Sequence, residues 1–566
     1  MGTERGSGLL AVSRKLNDER VVLGVLIAGA FLLYLATRLQ VHNQGGDFTN
    51  YAAAIQRNGL SDKWFYGDHL AYVFLLNRIY HSLGTIYPDL DAMTTAQVFN
   101  SIFASLGVGV FYLLGRSLFR ERWLSLMLAI TLALSYRYWL YATVVEVHAP
   151  AAFFFIISLL IAFRMSAGAR GWVYVVVGVL TASAVLFHVI SVLLAPVVVG
   201  LILIRRSSQM DAPVQFLPGK MRNVLIYSLA TGVAVVAPYW YVAAKVLHLM
   251  SFKEVYLWLL PNLVDTPDIG AASLMSAVFL AGRRIPLAFL GRRMWVATPA
   301  VRLMPGRECL EADLYLVRNI GPGVALVLVA CSVIAGALLV GLGLLSIPGI
   351  ARAMRGRSRA AIGLIGWIAS YTLLIGYFMP ESSEHWGIYW LPGFLLVVGL
   401  GLSESMQHEH IRKKLVRALG AAMLLFVLIG NGSNILVQTL PGNDLYLERL
   451  KWYRSNASPE DLVISGGDWM WTGYLDYFLQ AQVVPFRMWM AGTGYSYGLQ
   501  KLDALIDTTR GSGGRIFVTE DALQQDVCSE KITEEESALF ASFRQGMLPR
   551  LSCFQYGDRS VCEILG

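Results

Sequence analysis

The stretch VVLGVLIAGAFLLYLATRL, Val21–Leu39, is an apolar run of membrane length, and eight residues beyond it stands Asp47 in Gly45-Gly46-Asp47-Phe48-Thr49-Asn50-Tyr51. About 20 mostly apolar residues suffice to cross a bilayer as a helix. The run is too long and too basic at its flanks for a cleaved signal peptide, and no small-residue cleavage site follows it. It therefore reads as an uncleaved anchor. Asp47 fits two roles. It precedes the apolar positions Tyr51, Ala54 and Ile55 as a helix N-cap would, and it is also a carboxylate placed at a membrane surface, where it could serve as a base.

Of the 566 residues, 56% are hydrophobic and 15% charged, with a mean hydropathy of +0.54. Soluble chains carry about 25% charged residues, so most of this one belongs in lipid. Eleven apolar runs read as spans, near 21–39, 96–117, 123–143, 149–165, 172–188, 189–204, 223–245, 321–346, 359–379, 387–403 and 415–437. His188 and Ser191 mark a turn in the continuous stretch Trp172–Ile204. The net charge of +8 does not point to nucleic acid, because the basic residues sit in short loops between apolar runs. With the N-terminus inside, inner loops collect groups such as Arg116, Arg120 and Arg122 or Arg412, Lys413 and Lys414. The short outer loops near 144–148, 188–190 and 380–386 hold no Lys or Arg. That asymmetry is the orientation signal of a polytopic membrane protein.

Two outer loops are long. The first, about 40–95, reads as two surface helices, Phe48–Arg57 and His69–Leu83, the second with Tyr72, Leu75, Leu76, Ile79 and Tyr80 on one face. The second, about 246–320, contains Ala271–Ala281, too short to span and better read as interfacial or re-entrant. Residues 1–440 thus form a membrane domain. Pro441-Gly442-Asn443-Asp444 opens a polar segment, 441–566, in which strand-like runs (Leu462–Ile464, Arg515–Val518) alternate with helical ones (Leu445–Arg454, Glu534–Phe543). This reads as a small outer α/β domain. It holds Cys528, Cys553 and Cys562; an oxidising compartment would allow one disulfide, with Cys553 and Cys562 the closer pair, and the odd count leaves the pairing open.

Chemistry-bearing residues gather at the outer rim. In Tyr136-Arg137-Tyr138-Trp139-Leu140-Tyr141-Ala142-Thr143-Val144-Val145-Glu146-Val147-His148 the four aromatic rings read as an interfacial belt. Arg137, Glu146 and His148 are costly at membrane depth and call for a cavity or a partner; for Glu146 the alternative is a solvated carboxylate. Pro380-Glu381-Ser382-Ser383-Glu384-His385 offers Glu384 and His385 as an acid/base pair or as a solvated helix cap. Arg283-Arg284 and Arg292-Arg293 in the second loop suit a lipid phosphate, since a guanidinium fork matches phosphate geometry, or simply anionic headgroups. Gly341 and Gly343 read as helix packing. There is no Walker loop, dinucleotide fingerprint or Cys/His metal spacing. No cofactor is expected, although a divalent cation stays open.

In layout nearly the whole chain resembles the GT-C superfamily of membrane glycosyltransferases, and within it most closely the protein O-mannosyltransferase-like group. Gly46-Asp47 matches that group's Gly-Asp motif in the first loop. Ala142–Val147 resembles its Ala-x-x-Glu-Val stretch with one extra residue, and Ile464-Ser465-Gly466-Gly467-Asp468 with Tyr474–Phe478 is similar to a motif of its outer domain. Its proline-containing His-Pro-Pro-Gly-Tyr-Pro segment appears only as Trp64-Phe65-Tyr66-Gly67-Asp68-His69, which puts the acceptor in doubt. The resemblance implies transfer of a sugar from a polyprenyl-phosphate donor to an acceptor hydroxyl on a protein, lipid or glycan. Asp47 and Glu146 would be catalytic. Tyr51, Asp68, His69, Arg137, His148, Glu384 and His385 would contact substrate, and Arg283, Arg284, Arg292 and Arg293 the donor phosphate. The expected setting is a bacterial inner (plasma) membrane, the N-terminus cytoplasmic and the 441–566 domain outside. A lipid-linked glycan flippase would show internal symmetry and mid-membrane charges, neither of which is visible; a non-catalytic envelope assembly protein is the third class.

The topology is open to direct test. A cysteine introduced near Glu384 or within 450–550 should react with an impermeant thiol reagent from outside the cell, and one near Arg355 should not. The reverse pattern would place Asp47 and Glu146 on the wrong side for the expected donor.

Overall fold

A computed structural model describes residues 4–41, 47–57, 65–119, 121–165, 169–204, 213–259, 287–299, 310–356, 358–378, 387–407, 410–466, 469–479, 481–486, 495–523, 541, 545, 548–556 and 559–564. Each of the eleven apolar runs is helical. Their first members are α1 (Glu4–Ala36), α4 (Ala92–Leu118), α5 (Arg122–Leu134) with α6 (Tyr136–Thr143), α7 (His148–Arg164) and α8 (Gly171–Phe187), while α2 (Asp47–Gln56) and α3 (Tyr72–Gly84) are the two loop helices expected. By length and composition six helices among the described residues can cross a membrane alone, and a seventh span arises if α5 and α6, bent by 59°, count as one. The expected spans at 149–165, 172–188 and 189–204 are shorter, His148–Arg164, Gly171–Phe187 and Val189–Leu203. Seventeen residues rise only about 26 Å, short of a hydrocarbon core of about 30 Å. Ala271–Ala281 and Glu534–Phe543 lie outside the described residues, as does Cys528.

The chain divides into two compact units. The first comprises residues 1–38, 57–294 and 323–436. At its centre α4 packs on α1, α5, α6 and α7. Much of the middle of its buried face is small or polar (Ala96, Asn100, Ser101, Ala104, Ser105, Gly107), which lets backbones approach closely. At Gly107 a Cβ would collide with the Tyr138 hydroxyl, which donates to the Ala104 carbonyl at 2.9 Å. Helices Pro322–Arg355 and Gly387–Ser405 meet at Gly349 and Gly401, each backbone occupying the space a Cβ on the other would need. The glycines expected to pack, Gly341 and Gly343, have nothing within 4 Å of a Cβ position, so Gly349 does that work instead.

The aromatic belt is a further correction. Tyr136, Tyr138, Trp139 and Tyr141 are all at most 3% exposed, so these rings are core. The cause is the break at Ser135, whose extended backbone (φ −64°, ψ 135°) turns α6 inward so that all eight of its residues are buried. Trp139 there donates its indole N–H to Thr37 Oγ1 at 2.8 Å.

The second unit comprises residues 39–56, 295–322 and 437–566. Strands β1 (Leu462–Ser465), β2 (Gln482–Pro485), β3 (Ile516–Val518), β4 (Leu551–Tyr556) and β5 (Arg559–Ile564) form one sheet in the order β2-β1-β3-β5-β4. β1 runs parallel to β2 and β3, and β5 antiparallel to β3 and β4. Alternate residues point to opposite faces of a strand. Leu462 and Ile464 join Val484, Leu502 and Ile506 on one side, and Val463 and Phe517 join Leu450, Tyr453 and Trp471 on the other. Cys553 and Cys562, paired in register across β4 and β5, form the disulfide. Buried Asp444 caps helix Leu445–Asn456 through the N–H groups of Tyr446 and Leu447 and accepts the Tyr474 hydroxyl at 2.6 Å. Helix α2 is seated on helix Trp469–Phe478, where Gly473 leaves room for Thr49 and Asn50.

Candidate active site

Within the first unit, two loops expected to carry chemistry converge on one cluster. The turn after α6 is held from α4. Asn100 Nδ2 lies 2.7 Å from the carbonyls of Val144 and Glu146 and 3.1 Å from the Tyr72 hydroxyl, and Ser101 donates to the Ala142 carbonyl at 2.8 Å. The Glu146 carboxylate is therefore buried, 7% exposed, rather than solvated. Its Oε2 accepts from the Val147 N–H at 2.9 Å and lies 3.7 Å from His148 Nε2. His148 Nδ1 meets the Tyr389 hydroxyl at 3.2 Å, and its ring stacks on His188 at 4.9 Å.

His188 faces a second carboxylate–histidine pair. The Val189 N–H bonds the Asp68 carbonyl at 2.7 Å and the Ala71 N–H bonds the Leu186 carbonyl at 2.9 Å, tying the first loop to the turn after α8. Asp68 Oδ1 is 2.6 Å from His69 Nδ1, and the His69 ring lies 6.5 Å from that of His188 and stacks on Tyr66 at 4.7 Å. Burial alone would raise the Asp68 carboxyl. The charge and hydrogen bond of His69, the charge of His188 and a backbone N–H outweigh it and bring it down to about 2. Burial pushes the His188 imidazole down to about 3, with Asp68 opposing and His69 reinforcing, so that this ring is neutral near pH 7. Its Nδ1 accepts from the Ile190 N–H at 3.2 Å, which leaves the proton on Nε2.

The arginines form a separate group in the same unit. Arg137 is 6% exposed and sits 5.8 Å from the centroid of the Tyr136 ring. Burial depresses the Arg293 guanidinium below its ordinary value; its charge and hydrogen-bond interactions with Tyr136 oppose this, while Arg292 and Arg137 add repulsion. Arg137, Arg292 and Arg293 thus lie within electrostatic reach of one another, with Arg137 and Arg293 both against Tyr136.

The structure thus brings Asp68, His69, Glu146 and His148 together, and Arg137 with Arg292 and Arg293. Asp47 lies in the second unit, half-buried in the first turn of α2, and Tyr51 is buried on the same helix. Arg283, Arg284, Glu384 and His385 lie outside the described residues. His188, Tyr389 and Asn100 were not singled out as site residues by the sequence reading. Each is a polar group inside or at the end of an apolar run, and that is the signal that marks them. Among the described residues no group of three or more His, Cys, Asp or Glu side chains could hold a metal ion.

No known family pattern matches the chain, and no curated protein matches its sequence. Among solved structures, ArnT from Cupriavidus metallidurans bound to undecaprenyl phosphate superposes with a TM-score of 0.53 at 10% identity, over 95% of this chain and 97% of that one. Apo ArnT from the same organism gives 0.47 at 14% identity, over 95% of this chain and 97% of that one. The mycobacterial arabinofuranosyltransferase AftD gives 0.45 at 16% identity, over 97% of this chain and 42% of that one. The fold assignment rests on the first. The chain has the GT-C membrane fold.

The Asp68 shift carries a pH signature. A carboxyl whose folded pKa is about 2 against about 3.9 unfolded stabilises the protein above pH 4 and loses that contribution as pH falls towards 2. Asp68→Asn should therefore lower thermal stability in detergent at pH 7 by on the order of 2 kcal/mol, with the gap to the parent closing by pH 2. Parallel stability curves across that range would show that the pair contributes nothing.

Proposed function

We propose that this protein is an integral membrane glycosyltransferase that moves a sugar from a polyprenyl-phosphate donor to an acceptor hydroxyl at the outer membrane face. The observation that carries the reading is the gathering of Arg137, Arg292 and Arg293 in a fold shared with ArnT, whose crystal structure holds undecaprenyl phosphate. That lipid phosphate is the chemical class of ligand the three guanidinium groups fit.

The chemistry follows from the leaving group. When the anomeric C–O bond breaks, the bridging oxygen leaves with the polyprenyl phosphate, already a stable anion, so little acid assistance is needed. The new bond forms from the acceptor oxygen, whose proton must go to a base. In-line attack inverts the anomeric centre. Asp47 is the base in this reading, with Glu146 placing acceptor or donor. The guanidinium groups counter the charge that grows on the phosphate as it departs. His148, His69 and Asp68 supply hydrogen bonds for hydroxyls on the sugar or the acceptor. The low share of charge along the chain and the outer-loop position of the acids suit a donor whose lipid tail stays in the bilayer.

Asp47→Asn keeps size and capping capacity, since Asn is also a good N-cap, and removes the basicity. Activity with radiolabelled polyprenyl-phosphate sugars should fall about 10²-fold or more with folding intact, the scale for removing a general base. Glu146→Gln should lose less if it only positions substrate. An active, well-folded Asp47→Asn protein would end the assignment of Asp47 as base.

A further inference from the structure

Two asparagines, Asn431 and Asn434, stand fully buried in the apolar helix His410–Leu436. A carboxamide in such surroundings must have its groups satisfied by protein. Asn431 bridges three backbone points. Its Nδ2 donates to the carbonyls of Leu134 and Phe289, each at 2.8 Å, and its Oδ1 accepts the Gly291 N–H at 2.9 Å. Leu134 ends α5 immediately before the break that leads into Tyr136 and Arg137, and Gly291 immediately precedes Arg292 and Arg293.

One turn further on, Asn434 Oδ1 accepts the Met294 N–H at 3.1 Å while its own Nδ2 donates to the Gly430 carbonyl at 2.7 Å. The arginine-bearing turn is therefore held at both ends from one helix face, since residues three apart are neighbours there. Gly291 shows how tight the seat is. A Cβ there would lie 2.6 Å from Asn434 Cγ and 2.8 Å from Tyr136 Cδ2.

We propose that Asn431 is a positioning residue of the phosphate site: its one carboxamide fixes Arg137 on α6 relative to Arg292 and Arg293 on the turn, so that their guanidinium groups meet a single phosphate. This rests on the phosphate reading above and adds to it the residue that sets the spacing. The Nδ2 group serves both halves at once, through Leu134 on one side and Phe289 on the other. No smaller side chain reaches all three points.

The test is a double-mutant cycle on the purified full-length protein, reading affinity for undecaprenyl phosphate and for neutral undecaprenol. Asn431→Ala should weaken undecaprenyl phosphate binding about tenfold and leave undecaprenol unchanged. The same change on an Arg293→Gln background should cost less than about twofold, because contacting residues in one network couple. Asn431→Ser can still satisfy the Gly291 N–H or one carbonyl, and it runs the same cycle if Asn431→Ala does not fold. An equal loss in both backgrounds, an equal loss for both lipids, or no loss at all would make Asn431 a packing residue and overturn the proposal. Unchanged phosphate affinity in Arg137→Gln and Arg293→Gln themselves would instead remove the phosphate site, and the inference with it.

Discussion

The carbonyl of Leu134, freed where α5 stops, accepts a hydrogen bond from Asn431 inside an apolar layer. A backbone group left without a partner there costs several kcal/mol, so a helix can be interrupted only where a side chain stands ready to satisfy it. The remaining geometry follows from that permission. Because α5 stops at Leu134, α6 turns inward; because α6 turns inward, Arg137 and its aromatic neighbours leave the lipid surface for the protein interior. The turn that follows is then held by Asn100 of α4, and it brings Glu146 and His148 to His188 at the end of α8.

What collects there is two carboxylate–histidine pairs around a third imidazole. Asp68 with His69, and Glu146 with His148, flank His188, which burial keeps neutral. Buried charges persist when paired and hydrogen-bonded, and like charges side by side do not. The neutral His188 imidazole, stacked on His148 and 6.5 Å from the His69 ring, lies between the two pairs without adding a charge of its own. The arginine group is different: Arg292 and Arg137 lie near enough to Arg293 for their like charge to act on it, and Tyr136 opposes them.

Hydropathy was enough to place the apolar helices among the described residues, although His148–Arg164, Gly171–Phe187 and Val189–Leu203 are shorter than a full crossing. Of the sheet only β1 and β3 were legible, as the strand-like runs Leu462–Ile464 and Arg515–Val518, whereas β2, β4 and β5 were not. The break at Ser135 was not legible. Neither Gly nor Pro marks it, and the residue that makes it tolerable lies almost 300 positions away in the chain, at Asn431. Without the break, Tyr136 to Tyr141 look like a belt. Gly341 and Gly343 misled because composition identifies a small residue but not the direction it faces. His188 was visible only as a turn marker, since its partners Asp68 and His148 come from other loops.

Helix α2 belongs to the same compact unit as the 437–566 segment, with Thr49 and Asn50 lodged where Gly473 has no side chain. Leu39 to Gln56 and the C-terminal segment are therefore one module written in two distant places of the sequence. Arg318, bonded to the Gly442 carbonyl, and Glu311, paired with Arg449, add a third piece. A graft of the C-terminal domain from a distant relative would break that module unless residues 39–56 and 295–322 travelled with it. The same packing means that any side chain placed at position 473 would have to displace Thr49 and Asn50 of the first loop.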